Sequence, residues 1–153
     1  MSRVTALKFT TRGFSVVTLE GTRTTPTCVT NKALLYPTSH DTSRLMDWCE
    51  TQFNLLIDQE IPDRVAYKLV TSLSAHDQIF HVYYALGVLH LVCHKKELEI
   101  QHVTPSSLSA RCFGLQQGTD MDSYIASLFT GRPSPWNSEI RETALIALSR
   151  LGR

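Results

Sequence analysis

The sequence predicts an α/β domain: a mixed central sheet of about five strands, an antiparallel hairpin and then parallel strands, with helices on both faces. Three observations carry this. Mid-chain, Pro62-Asp63 launches the apolar and aromatic run that ends at Val70, which reads as a buried strand. The sequence before it reads as a hairpin and a helix. The sequence after it reads as helix, strand and more helix, an order that right-handed crossovers join into one sheet.

Val4 to Phe9 and Phe14 to Leu19 are β-rich runs separated by Thr10-Thr11-Arg12-Gly13, so an opening hairpin is expected, ending at Glu20-Gly21. The third strand lies in the Thr-rich stretch 22–40, as either Thr27 to Thr30 or Lys32 to Tyr36. Asp41 or Thr42 caps a helix through about Asp58, because Leu45, Trp48, Cys49, Phe53, Leu56 and Ile57 recur at helical spacing. After the central strand, Ser74 and Asp77 form a capping-box pattern ahead of a helix over about 75–95, striped by Val82, Leu86, Leu89 and Cys93 and closed by Lys95-Lys96. Leu98 to Val103 reads as a short strand, and Thr104-Pro105 as an N-cap with proline at the first helical position. A loop over 114–120, a short helix over 121–129 and a proline-stiffened connector lead to a last helix from about Asn137 to Leu151, which buries Ile140, Ala144, Leu145, Ala147 and Leu148.

At 153 residues the chain is expected to be a single domain over 1–153, long enough to bury roughly 70% of its unfolded surface without staples. The four cysteines are widely spaced and form no Cys-x-x-Cys pair, so neither a zinc ribbon nor a redox motif is indicated and buried free thiols are expected. No stretch has the apolar length of a membrane span, and Met1 to Thr5 lacks the core of a signal peptide, so a cytoplasmic protein without a membrane partner is expected. With 15 lysines and arginines against 14 acids, net charge makes no case for nucleic acid, and any such partner has to be argued from local sites.

Pro62-Asp63-Arg64-Val65-Ala66-Tyr67-Lys68 resembles the fourth strand of RuvC-type Holliday junction resolvases, which have the ribonuclease H-like fold. Val103-Thr104-Pro105-Ser106-Ser107-Leu108 resembles the same family after its next strand, and Glu142-Thr143-Ala144-Leu145-Ile146-Ala147 its last helix. The pattern is still more similar to a group of small proteins related to those resolvases. The resemblance implies metal-dependent phosphodiester cleavage, in which acids from the first strand, the fourth strand and the last helix hold two divalent cations ~4 Å apart. Here Lys68 stands where the fourth-strand glutamate is expected, and Lys8 where the first-strand acid is expected. An ammonium cannot ligate Mg²⁺. Of the expected acids only Glu142 remains, with Glu139 one helical turn away, and both also suit a solvated helix face or a partner for the helix dipole. In this register Lys8 and Lys68 project near one another and Glu142 arrives from the last helix. A one-residue slip would instead turn both lysines to the other face.

Other constellations carry less. His90 and His94 have the spacing of a zincin helix, but Leu91-Val92-Cys93 lacks the glutamate of that motif, and no metal site is expected. Tyr83, Tyr84, Phe80 and Trp48 read as core, and Asp77 near His76 and His81 reads as a cap. Arg111, Arg132 and Arg141, with Lys8 and Lys68, are the candidate phosphate-contacting cations.

These observations favour a non-catalytic RuvC-like protein that binds DNA or RNA, or a nucleic-acid-processing complex, without a cofactor. One alternative is an active metal-dependent nuclease or junction resolvase whose acids are displaced, to Asp77, Glu139 and Glu142 for example, and which would need Mg²⁺ or Mn²⁺. Another is a protein-interaction or inhibitor module that uses an outer helical face. The apolar helix over 75–95 suits a homodimer, as the resemblance also implies.

Overall fold

The computed structural model describes residues 2–39, 41–68, 79–129, 131 and 134–152, with backbone alone at 79 and 80. A five-stranded sheet in the order β3-β2-β1-β4-β5 is formed by β1 (Ser2–Phe9), β2 (Gly13–Gly21), β3 (Pro26–Leu35), β4 (Arg64–Lys68) and β5 (Glu99–Val103). The first three strands are antiparallel, while β4 lies parallel to both β1 and β5. The helices are α1 (Thr42–Glu60), α2 (Ala85–Lys95), α3 (Met121–Ser127) and α4 (Ser138–Arg150). No helix among the described residues is long and apolar enough to cross a membrane.

Alternation along each strand divides the core into two layers. Val4, Ala6, Val17, Leu19, Ala66 and Val103 meet Ile140, Ala144, Ala147 and Leu148 of α4 on one face. Leu7, Phe9, Phe14, Val16 and Val65 meet Cys49 and Phe53 of α1 and Leu89 and Cys93 of α2 on the other. Burial on both faces is why β1 and β2 read as nearly continuous apolar runs. Within the sheet, Thr5 and Thr18, both fully buried, satisfy one another through a 2.8 Å hydroxyl hydrogen bond.

Helix ends follow the local chemistry. The Asp41 carboxylate accepts from the Arg44 amide at 2.9 Å, and Asn137 Oδ1 accepts from the Ile140 amide at 3.0 Å. At the far end of α4, the Arg23 guanidinium donates to the Leu151 carbonyl at 3.2 Å and the Ser149 carbonyl at 2.5 Å, satisfying acceptors the helix leaves open.

Several expectations are corrected. The third strand is neither of the short alternatives but one strand, Pro26–Leu35, spanning both, with a register shift opposite Thr18 and Leu19. Its half-exposed edge position explains the weak apolar pattern. The helix over 75–95 is a π-helical turn over 79–84 followed by α2, and the Ser74–Asp77 capping box lies outside the described residues. After Thr104 the chain forms two 3₁₀ segments, Pro105–Leu108 and Ala110–Phe113, not an α-helix. Cys49 and Cys93 are buried, and burial pushes their thiols up to about 12 and about 11, but Cys112 is exposed and Cys28 half-buried.

Candidate functional site: an ionic cluster at the end of the sheet

Lys8 belongs to the same face of β1 as Val4 and Ala6, and Lys68 to the same face of β4 as Ala66. The paired register runs Ala6 with Ala66 and Leu7 with Tyr67, so the two lysines follow one step later on neighbouring parallel strands. The small residues Ala144 and Ala147 bring α4 close against this face, and Glu142 meets both lysines from the helix. Lys8 Nζ lies 2.5 Å from Glu142 Oε2 and 2.7 Å from Glu139 Oε2, while Lys68 Nζ donates to Glu142 Oε1. Side-chain exposure is 20% for Lys8, 27% for Lys68, 29% for Glu142 and 47% for Glu139. Two ammoniums and two carboxylates leave this cluster formally neutral.

The electrostatics separate the two kinds of group. Burial works against the Glu142 carboxylate, but hydrogen bonds from Lys68 and Lys8 outweigh it and hold its pKa below the usual value. Burial likewise works against the Lys8 ammonium, and hydrogen bonds to Glu139 and Glu142 outweigh it and hold that pKa above its usual value. Neither group is poised to exchange a proton near neutrality, where a general acid or base works best. Nor do these residues fit a divalent cation. Lys8 and Lys68 present positive charge where ligand oxygens would be needed, and both carboxylates are already engaged.

Of the other candidate residues, those that are described are not brought to this cluster. Arg141 is next to Glu142 in sequence but points elsewhere around α4, with Nε 3.8 Å from Asp122 Oδ1. Arg111 is exposed on a 3₁₀ segment whose Cys112 carbonyl accepts from Arg23, the residue bonded at the opposite end of α4 from Glu142. Arg132, Asp77 and His76 lie outside the described residues. His90 is committed to a 3.0 Å hydrogen bond with the Tyr67 hydroxyl, and its ring packs edge-on against that tyrosine. Burial raises the Tyr67 pKa, and burial followed by the charge of His102 lowers that of His90. Sequence reasoning did not connect Tyr67 with His90 because the contact joins a strand to a later helix, with no fixed spacing to signal it.

No protein-family model and no curated protein matches the sequence. Solved structures do match in shape. The chain is similar to Thermus thermophilus RuvC in complex with a Holliday junction substrate, with a TM-score of 0.82, 10% identity, and coverage of 97% of this chain and 92% of that one. A second Thermus thermophilus RuvC structure gives a TM-score of 0.78 at 11% identity, covering 96% and 92%. The yeast mitochondrial Holliday junction resolvase Ydc2 gives 0.67 at 12% identity, covering 97% and 77%. At such identities the likeness speaks for the fold, and with the observed strand order and helix placement it shows that the chain adopts the ribonuclease H-like fold of the RuvC-type resolvases.

Proposed function

We propose that this protein is a non-catalytic, RuvC-like nucleic-acid-binding protein, acting on DNA or RNA directly or within a nucleic-acid-processing complex in the cytoplasm. The ionic cluster carries the reading. Lys8 and Lys68 occupy the strand positions at which the resemblance implies metal-holding acids, and Glu142 is spent on neutralising them. The nucleic-acid partner is supported by the likeness to a RuvC structure that contains a Holliday junction. A homodimer through the π-helical turn and α2 fits the exposure of Tyr84 on the turn, a residue expected in the core, and of Leu91 on α2, and sedimentation analysis tests it.

A gel-shift series with junction, duplex and single-stranded ligands, with and without EDTA, is the test of function. Salt-sensitive binding that EDTA leaves unchanged is expected, with no cleavage products in Mn²⁺. Metal-dependent cleavage would establish the nuclease alternative. No binding to any ligand at low salt would leave the protein-interaction reading. A calorimetric titration adds a second check: Mn²⁺ should not bind the parent protein, whereas the double variant Lys8→Asp, Lys68→Glu, with four carboxylates at the same place, should bind it.

A further inference from the structure

If this protein binds nucleic acid, the neutral cluster raises a question of charge. Lys8 and Lys68 are each bonded to a glutamate, so a phosphate approaching them must first displace a carboxylate. The β1–β2 turn, at the same end of the sheet, offers a cation with no such competitor. Arg12 is exposed, and no carboxylate among the described residues pairs with it.

Its backbone is held firmly. The Arg12 amide donates to Thr10 Oγ1 at 3.2 Å, the Arg12 carbonyl accepts from the Tyr36 amide at 2.8 Å, and the Thr10 amide closes the turn onto the Gly13 carbonyl at 2.8 Å. Gly13 lets β3 come in close, since a Cβ there would stand 1.9 Å from the Leu34 carbonyl oxygen. A fixed backbone carrying a free guanidinium reduces the ordering cost of binding.

Two grooves flank this turn. One, of about 510 Å³, is bordered by Ser15, Asn137 and Glu139 and so adjoins the ionic cluster. The other, of about 390 Å³, is bordered by Tyr36, Pro37 and His81. Thr11, Arg12 and Leu35 border both. Leu35 is 72% exposed, and the half-buried His81 ring stacks on Tyr36 with centroids 5.5 Å apart. A cation and two hydroxyl-bearing threonines beside an exposed leucine and an aromatic pair match an unstacked strand, in which each phosphate is followed by a sugar and a base with an apolar face.

We infer that the ridge formed by Arg12 and Leu35 is a binding site for single-stranded nucleic acid, with a phosphate on Arg12 and a neighbouring base or sugar on Leu35. This rests on the nucleic-acid reading above and moves the phosphate contact away from the lysine pair.

Fluorescence anisotropy with a short labelled single strand, in a salt series from about 50 to 200 mM, tests it. Arg12→Ala should weaken binding about tenfold and reduce the slope of log affinity against log salt by about 0.7, the value for one phosphate contact on a single strand. Arg12→Lys should keep the parent slope. Leu35→Ser should weaken binding about threefold with the slope unchanged, because it removes apolar contact without charge. Both side chains are exposed, so melting temperatures should match the parent. If the parent binds and Arg12→Ala binds equally well with the same slope, the ridge is not the site, although the nucleic-acid reading survives. If the parent prefers duplex to single strand, the assignment to an unstacked strand is wrong. If the parent binds no nucleic acid at low salt, the functional reading fails and the ridge assignment fails with it.

Discussion

Substituting Glu142 with alanine tests whether the cluster is one electrostatic unit. The variant leaves Lys8 with Glu139 at 2.7 Å, but Lys68 loses the only carboxylate that bonds it among the described residues. Breaking a fully buried pair typically costs ~3–5 kcal/mol, and an exposed pair contributes ~0–1. With 27% of Lys68 and 29% of Glu142 exposed, solvent screens part of this, and a loss of about 1.5–3 kcal/mol is expected. For a chain of this size that lowers the melting temperature by about 4–10 °C. Calorimetry on Glu142→Ala and on the closer isostere Glu142→Gln at pH 7 reads this directly.

The pH dependence sharpens the test. The folded pKa of Glu142 is depressed, so its stabilisation is complete above the ordinary glutamate value and disappears as pH falls through the lowered one. The folded pKa of Lys8 is raised, so its contribution is complete below 10.5 and disappears as pH rises past the raised value. The gap between parent and Glu142→Gln should therefore be flat from about pH 5 to about pH 10 and close in acid. Equal melting temperatures at pH 7, or a gap that persists unchanged into strong acid, would refute the coupling.

Three further outcomes are expected. Replacing the cluster wholesale, as Lys8→Met with Lys68→Met and Glu142→Leu, should stay within about 1.5 kcal/mol of the parent by chemical denaturation, since apolar groups of similar volume avoid the desolvation of buried charge. Thr5→Val strands the buried Thr18 hydroxyl and should cost about 1–3 kcal/mol, whereas Thr5→Val with Thr18→Val should recover much of that loss in the same assay. Gly13→Ala forces a methyl group against the Leu34 carbonyl and should destabilise by about 2–3 kcal/mol, with exchange protection lost first at the β1–β2 turn and the end of β3.

The closeness of Lys8 and Lys68 was legible only through the resemblance, which makes the first and fourth strands neighbours, and strand alternation left a one-residue slip open. The structure closes that choice: Val4 and Ala6 on β1 and Ala66 on β4 share a face, and the lysines two residues farther on share it too. The apolar spacing of Ile140, Ala144, Leu145, Ala147 and Leu148 marks a helix but not the role of a carboxylate on it; Glu142 was legible only through the resemblance of the run from Glu142 to Ala147 to the family's last helix. The bond from Lys8 to Glu139 was not, because which of two neighbouring carboxylates a flexible lysine reaches depends on how closely the helix packs. β3 was blurred because Thr27, Thr30, Asn31 and Lys32 belong to a half-exposed edge strand, where alternation separates only degrees of exposure. The π-helical turn over 79–84 and the 3₁₀ form of Pro105–Leu108 leave apolar spacing nearly unchanged and are decided by tertiary packing.

The arginine at the far end of α4 has a consequence for the aim of Glu142. A helix turns about 100° for each residue, so its angular setting decides which of Glu139, Arg141 and Glu142 faces the strands. Asn137 pins that setting at one end, and Arg23, gripping the Ser149 and Leu151 carbonyls while lying over the Phe113 ring, pins it at the other. Arg23 thus works like the second bearing of an axle. Seven residues along the helix from the cluster and touching none of its charges, it keeps the rotor from turning the wrong tooth toward the sheet.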